Sequence, residues 1–182
     1  ANTLISNFAS IDKAAPVVLS YSPASGDTNV DTTTDLVLSF SENVIKGSGN
    51  ILIKKYDGDA TVQTIDVTSV AVSISGAVVT INPSDLSDDT QYYIFVDSGA
   101  LKDSSAATNS FGGISGKDTW KFTTGDRTAP TVSVASGSGN PVNGMFSVTI
   151  SFSEDVSGFD STTDITVSNC SVSNLVETAT PG

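Results

Sequence analysis

Apolar residues in this chain recur at every second position over short runs, and nowhere hold the three-and-four spacing of a helix over a long window. Leu36, Leu38 and Phe40 alternate with Val37 and Ser39. Comparable runs rich in Val, Ile, Thr and aromatics lie at 17–21, 51–53, 62–67, 70–74, 77–81, 92–96 and 120–123. Gly, Pro, Asp and Ser separate them, which is the punctuation of short β-strands. Asp57-Gly58 and Ser75-Gly76 sit where hairpin turns are required. Residues 84–87 offer one short helical turn. Residues 98–118, rich in Gly and Ser, read as a long loop of the kind that is functional or mobile. Seven or eight such strands before residue 125 predict an all-β, Greek-key sandwich of immunoglobulin type.

The pattern then repeats. Asp12-Lys13-Ala14-Ala15-Pro16-Val17 returns as Asp126-Arg127-Thr128-Ala129-Pro130-Thr131, offset by 114 positions. Leu36-Val37-Leu38-Ser39-Phe40-Ser41-Glu42 returns as Val148-Thr149-Ile150-Ser151-Phe152-Ser153-Glu154, offset by 112. Preserved order and spacing mean tandem modules. The expected division is a leader or linker at 1–13, a first sandwich at 14–125 and a partial second sandwich at 126–182. The second supplies strands near 132–134, 146–152, 165–167 and 172–176, about half of what the first contains, so it is expected to be incomplete.

Charge narrows the function classes. The chain has 8 Lys+Arg against 20 Asp+Glu and a net charge of -12, which repels nucleic acid and anionic membranes. There is no run of apolar residues long enough to span a bilayer. The absence of His removes the usual general base, the commonest zinc ligand and any Ser-His-Asp triad. The single Cys170 has no partner for an intrachain disulfide, and its alternating surroundings predict a small buried residue. Asn169-Cys170-Ser171 fits a glycosylation sequon, a weak signal on its own. Trp120 opens a strand and reads as core rather than as a sugar platform. Gly112-Gly113-Ile114-Ser115-Gly116-Lys117 lacks the spacing and the following helix of a phosphate loop.

What an acidic chain attracts is cations. Only three of the 20 acids are Glu, a bias toward turns and metal loops. In a sandwich of immunoglobulin type, the start of the first strand, the end of the second and the loop before the last share one pole. That pole would gather Asp12, Glu42, Asn43, Asp97 and Asp103 in the first module, and Asp126, Glu154 and Asp155 in the second. Asp88 or Asp89 could join Asp126 from the first module's far pole. Calcium takes six to eight hard oxygens from several loops, so these residues form the candidate metal set. The alternative is that the same carboxylates cap turns and hold backbone amides. No candidate pair of carboxylates has the aromatic setting of a glycoside-cleaving site, so no catalytic residue is assigned.

The first module resembles the bacterial Ig-like domains of S-layer proteins and large surface adhesins. The resemblance rests on Ala15-Pro16-Val17-Val18, Ser22-Pro23-Ala24-Ser25-Gly26-Asp27, Phe40-Ser41-Glu42-Asn43-Val44, Leu86 to Tyr93, and Trp120-Lys121-Phe122-Thr123-Thr124-Gly125. It covers about residues 14 to 125, and the second module looks like a related repeat. The family's Asp-x-x-Gly-Asn patch before the last strand keeps only its aspartate here, at Asp103. The resemblance implies a non-catalytic module, extracellular or at the cell surface, acting as a spacer or stalk beside neighbouring Ig-like domains of the same chain. A module that binds glycan or a host or cell-surface protein through its loops is the alternative, and an S-layer lattice component is a third.

Overall fold

The structure, a computed structural model, describes residues 13–106, 108–137, 144–160, 163–173 and 176. The chain divides into two units, residues 1–127 and 128–182. The first unit contains strands β1 (Val18–Ser22), β2 (Leu36–Phe40), β3 (Val44–Lys46), β4 (Asn50–Lys55), β5 (Thr61–Asp66), β6 (Val72–Ser75), β7 (Val78–Ile81), β8 (Gln91–Val96), β9 (Leu101–Asp103) and β10 (Lys121–Thr123). The second contains β11 (Val132–Ser136) and β12 (Val148–Phe152). Among the described residues there is no helix.

Two four-stranded antiparallel sheets, in the orders β1-β2-β7-β6 and β10-β8-β4-β5, make the first unit. The chain changes sheet between β2 and β4, between β5 and β6, and between β7 and β8, which is Greek-key connectivity. The period-two pattern explains the layering. Leu36, Leu38 and Phe40 of β2 and Val79 and Ile81 of β7 point inward and are almost wholly buried. Ile51, Ile53, Tyr92, Ile94 and Phe122 meet them from the second sheet. Trp120 is fully buried, stacks at 5.1 Å on Tyr21 and donates its indole N–H to the Pro23 carbonyl at 2.9 Å.

The chain comes in at one pole and leaves at the other. Val17 at the start of β1 exchanges hydrogen bonds with Ser41 at the end of β2 (Val17 N to Ser41 Oγ 3.1 Å, Ser41 N to Val17 O 2.8 Å). At the far pole the end of β10 lies beside the start of β8: Thr124 N donates to Thr90 O at 3.1 Å and Asp89 N to Gly125 O at 3.3 Å.

Two expectations from the sequence do not hold in the first unit. Residues 84–87 form no helical turn, because Ser84 pairs sideways with Gln63 (2.9 and 2.7 Å) and Leu86 N donates to Thr32 O at 2.9 Å. Residues 98–118 are not a free loop. They contain β9, which pairs with β3, and they bury Phe111 and Ile114 in the core. These three-residue strands are too short to leave a hydrophobic period.

The second unit reproduces the repeat in three dimensions. Thr131 and Ser153 exchange the same bonds as Val17 and Ser41, at 2.9 Å each. Strands β11 and β12 pair as expected, and Val132, Val134, Val148, Ile150 and Phe152 share one face. No strand forms at 165–167 or at 172–173, and residues 174 and 175 lie outside the described residues. Cys170 is exposed, not buried, because among the described residues no strand packs over it.

Trp120→Ala is expected to cost about 3–5 kcal/mol and Leu38→Ala about 2–5 kcal/mol. Val134→Ala, at a position 67% exposed, should stay within about 0.5 kcal/mol. Denaturant unfolding of the three variants checks the contrast.

Candidate functional site

The pole where β1 begins does collect the expected segments. Asn43 O accepts the Ser104 N–H at 3.1 Å, and Val44 N donates to Gly76 O at 3.1 Å. Opposite residues in the β3–β9 pair are Val44 and Asp103. What the acids do there is hold backbone. Asp103 is fully buried. Its Oδ1 accepts Ser105 N (3.1 Å), Ser105 Oγ (2.9 Å) and Asn109 N (3.0 Å), and its Oδ2 accepts Asn109 Nδ2 (2.7 Å). Burial pushes the Asp103 carboxyl up, but the bonds from Asn109 and Ser105 outweigh it and leave the group below its ordinary 3.8. The asparagine missing from the expected spacing is thus supplied six residues on, by Asn109.

Asp97, half-buried, plays the same part for the other connection. Its Oδ2 accepts Asn50 N at 2.7 Å, while Asp97 N donates to Asn50 O at 2.9 Å. Gly49 makes this possible. It stands at φ +126°, and a Cβ there would lie 2.8 Å from the Asp97 Cβ.

The remaining candidates are dispersed. Asp12 lies outside the described residues. Glu42 is half-buried, and Asp126 is exposed at the opposite pole, near Asp89 through the Asp89 N to Gly125 O bond. Glu154 and Asp155 belong to the second unit, half-buried and exposed respectively. Glu42, Asp126 and Glu154 each keep interactions of their own. Among the described residues, no three of Asp, Glu, Cys or His come together as a group that could hold a metal ion. At the first unit's pole Asp97 accepts a backbone amide and Asp103 accepts amides and a hydroxyl, whereas calcium takes six to eight oxygens.

A second cluster was not anticipated. On the outward face of the second sheet, Tyr93 is flanked in register by Lys54 and Lys121. Tyr56 meets it edge-on at 6.4 Å. Lys117 Nζ lies 4.3 Å from the Tyr56 ring centre and 2.8 Å from Asp59 Oδ1. Asp59 also accepts the Tyr93 hydroxyl at 3.1 Å. Asp118 accepts Lys121 Nζ at 2.6 Å and the Tyr56 hydroxyl at 2.9 Å. Hydrogen bonds from Lys117 and then Tyr93 lower the Asp59 carboxyl, those from Lys121 and Tyr56 lower Asp118, and the same pairs raise Lys117 and Lys121. The network ties residues 117–118 to the β4–β5 hairpin. Its members are scattered over 65 positions of sequence, so only the strand register reveals it. Beside it an open, polar depression of about 240 Å³ is lined by Lys55, Asp57, Asp89, Thr90 and Gln91.

A family model described as a bacterial Ig-like domain matches residues 12–124, and a second of the same description matches residues 126–181. No curated protein matches the chain. Among solved structures it is similar to the crystal structure of CopC from Methylosinus trichosporium OB3b, at 14% identity and a TM-score of 0.44, over 63% of this chain and 97% of that one.

Two outcomes test the clamp role. Asp103→Ala should lower the melting temperature by roughly 5–10 °C. The pH dependence has a definite sign. The carboxyls of Asp31, Asp59, Asp66, Asp103 and Asp118 all lie below 3.8 when folded, so the unfolded chain binds their protons more readily. Their contribution is complete above the unfolded value and is lost as pH falls through the folded ones. Denaturation midpoints should hold between neutral pH and about pH 5 and fall below about pH 4.

Proposed function

The chain belongs to the bacterial Ig-like domain family, and we propose that it serves as a non-catalytic spacer, a stretch of stalk in a protein outside the cell or on its surface. The observation that carries this reading is the placement of the first unit's two ends. The chain comes in beside Ser41 at one pole and leaves beside Thr90 at the other, so the first module spans its own length between its neighbours in the chain. A second module of the same family follows directly.

The electrostatics support the same reading. A general acid or base works with a pKa moved toward the operating pH. Here every shifted carboxyl moves down and every shifted lysine moves up, away from neutrality. Such groups keep fixed charges and fasten loops. S-layer proteins and adhesins are the settings in which a spacer of this kind would be used. Binding of glycan through the loops is the alternative, and the Tyr56–Lys117 surface is the observation that favours it, since a half-buried ring with charged neighbours suits a sugar.

Pulling the chain between its ends tests the spacer role. The first unit should resist and then yield in one step, releasing on the order of 350 Å of chain between residues 17 and 124. Gradual extension at low force would contradict it. Calcium is the remaining proposal for stiffening. From the use already made of Asp97 and Asp103, the first unit's melting temperature is expected to be the same in millimolar calcium and in chelator. A rise of several degrees with calcium would restore Glu42, Asp97 and Asp103 as ligands.

A further inference from the structure

The last strand of the first unit is paired on both sides. On one side β10 meets β8. On the other it meets residues 26–30, which lie between β1 and β2, and the bridge from Val30 to Thr124 is parallel. Gly26 N donates to Lys121 O at 2.7 Å, Thr123 N to Asp27 O at 2.8 Å, Val30 N to Thr123 O at 3.0 Å and Gly125 N to Val30 O at 2.9 Å. Side chains close both ends of this ladder. Trp120 Nε1 donates to Pro23 O at 2.9 Å where it starts, and Arg127 pairs with Asp31 at 3.0 Å where it finishes. The two stretches lie so close that a Cβ on Gly125 would meet the Asn29 side-chain oxygen. Trp120, Phe122, Thr124 and Gly125 are buried, which keeps water from taking over the bonds as they stretch.

We propose that this parallel ladder takes the tension when the two ends of the first unit are pulled apart. The proposal rests on the spacer reading, which supplies the tension. Both stretches run from the entry pole toward the exit pole, since Gly26 lies beside Lys121 and Val30 beside Gly125. Tension on the entering chain, passed along β1, draws residues 26–30 back toward the entry pole. Tension on the leaving chain draws β10 forward through the exit pole. The two stretches are thus made to slide past each other along their length. The four backbone bonds are strained together and have to break together. A pull across the ladder would break them one after another. Strand β1 is held to β2 in the same sense, but that ladder is interrupted by the bulge between Val18 and Ser20 and ties down one end only. Residues 26–30 and β10 connect the entering chain to the leaving one directly.

Pulling single molecules of the 182-residue chain in two directions tests this. From the two termini the ladder is sheared. From handles on Thr33→Cys and Asp126→Cys, in a Cys170→Ser background, it is peeled from its exit end. Forced unfolding follows the barrier that the pull has to cross, so the peeling force is expected to be at least about twofold below the shearing force. Thr123→Pro removes the donor to Asp27, while the bonds to β8 through Trp120 O and Thr124 N stay in place. Val79→Ala is the comparison, a fully buried site on neither stretch. Per unit of equilibrium stability lost, Thr123→Pro should lower the shearing force at least about twofold more than Val79→Ala. If Thr123→Pro does not fold, the two pulling directions carry the test without it. Equal forces in both directions, or force losses that track equilibrium stability alike in the two variants, would overturn the proposal and leave the spacer reading standing. Gradual extension from the termini at low force would remove both.

Discussion

Everything in the first unit depends on the burial of two sheet faces against each other. Leu36, Leu38, Phe40, Val79 and Ile81 on one side and Ile51, Ile53, Tyr92, Ile94 and Phe122 on the other form a slab from which water is excluded. Fully burying one such side chain is worth roughly 1.5–3 kcal/mol. The sandwich imposes a cost at its ends, where each crossing between sheets leaves amides and carbonyls without a ladder partner. The acidic residues meet that demand. Asp97 holds Asn50, Asp103 holds Ser105 and Asn109, and Asp66 holds Thr68. An Asp-rich composition is thus a consequence of an all-β fold with many crossings, and the net charge follows from it.

Among the described residues of the second unit, the same pattern stands on a two-stranded ladder. Val148, Ile150 and Phe152 occupy the places of Leu36, Leu38 and Phe40 in the repeat. The local chemistry is preserved, down to the Thr131–Ser153 bonds. Yet Val132, Val134 and Val148 are 60, 67 and 47% exposed, and Phe159 is the aromatic that packs on Phe152, at 5.2 Å. A two-stranded ladder is marginal by itself. Sequence decides which face is apolar, whereas the cover has to come from other strands.

That distinction also sets what could be read in advance. The strands of both large sheets, the two hairpin turns and the buried Trp120 follow from period-two alternation and turn chemistry, which are local. The β3–β9 pair does not, because Val44–Lys46 and Leu101–Asp103 are joined only by register across 55 residues. Cys170 has neighbours that alternate like a strand, yet it is exposed, and among the described residues no strand flanks it. Asp97 and Asp103 lie where the loops of one pole meet, but their partners include backbone amides that composition does not display. The Tyr56–Tyr93–Lys117 network was invisible for the opposite reason, since its contacts depend on β4, β8 and β10 lying side by side.

The segment between β8 and β10 belongs to the sandwich, clamped by Asp97 and Asp103, so that the first unit is one continuous body from pole to pole. Native-state hydrogen exchange addresses it directly. The amides of Gly99, Asp103, Asn109 and Phe111 are hydrogen-bonded across this segment. They should open together with those of β2, β4 and β8, in the single global unfolding of the unit. Exchange of these four amides at the rate of an open loop, while β2, β4 and β8 stay protected, would contradict the account.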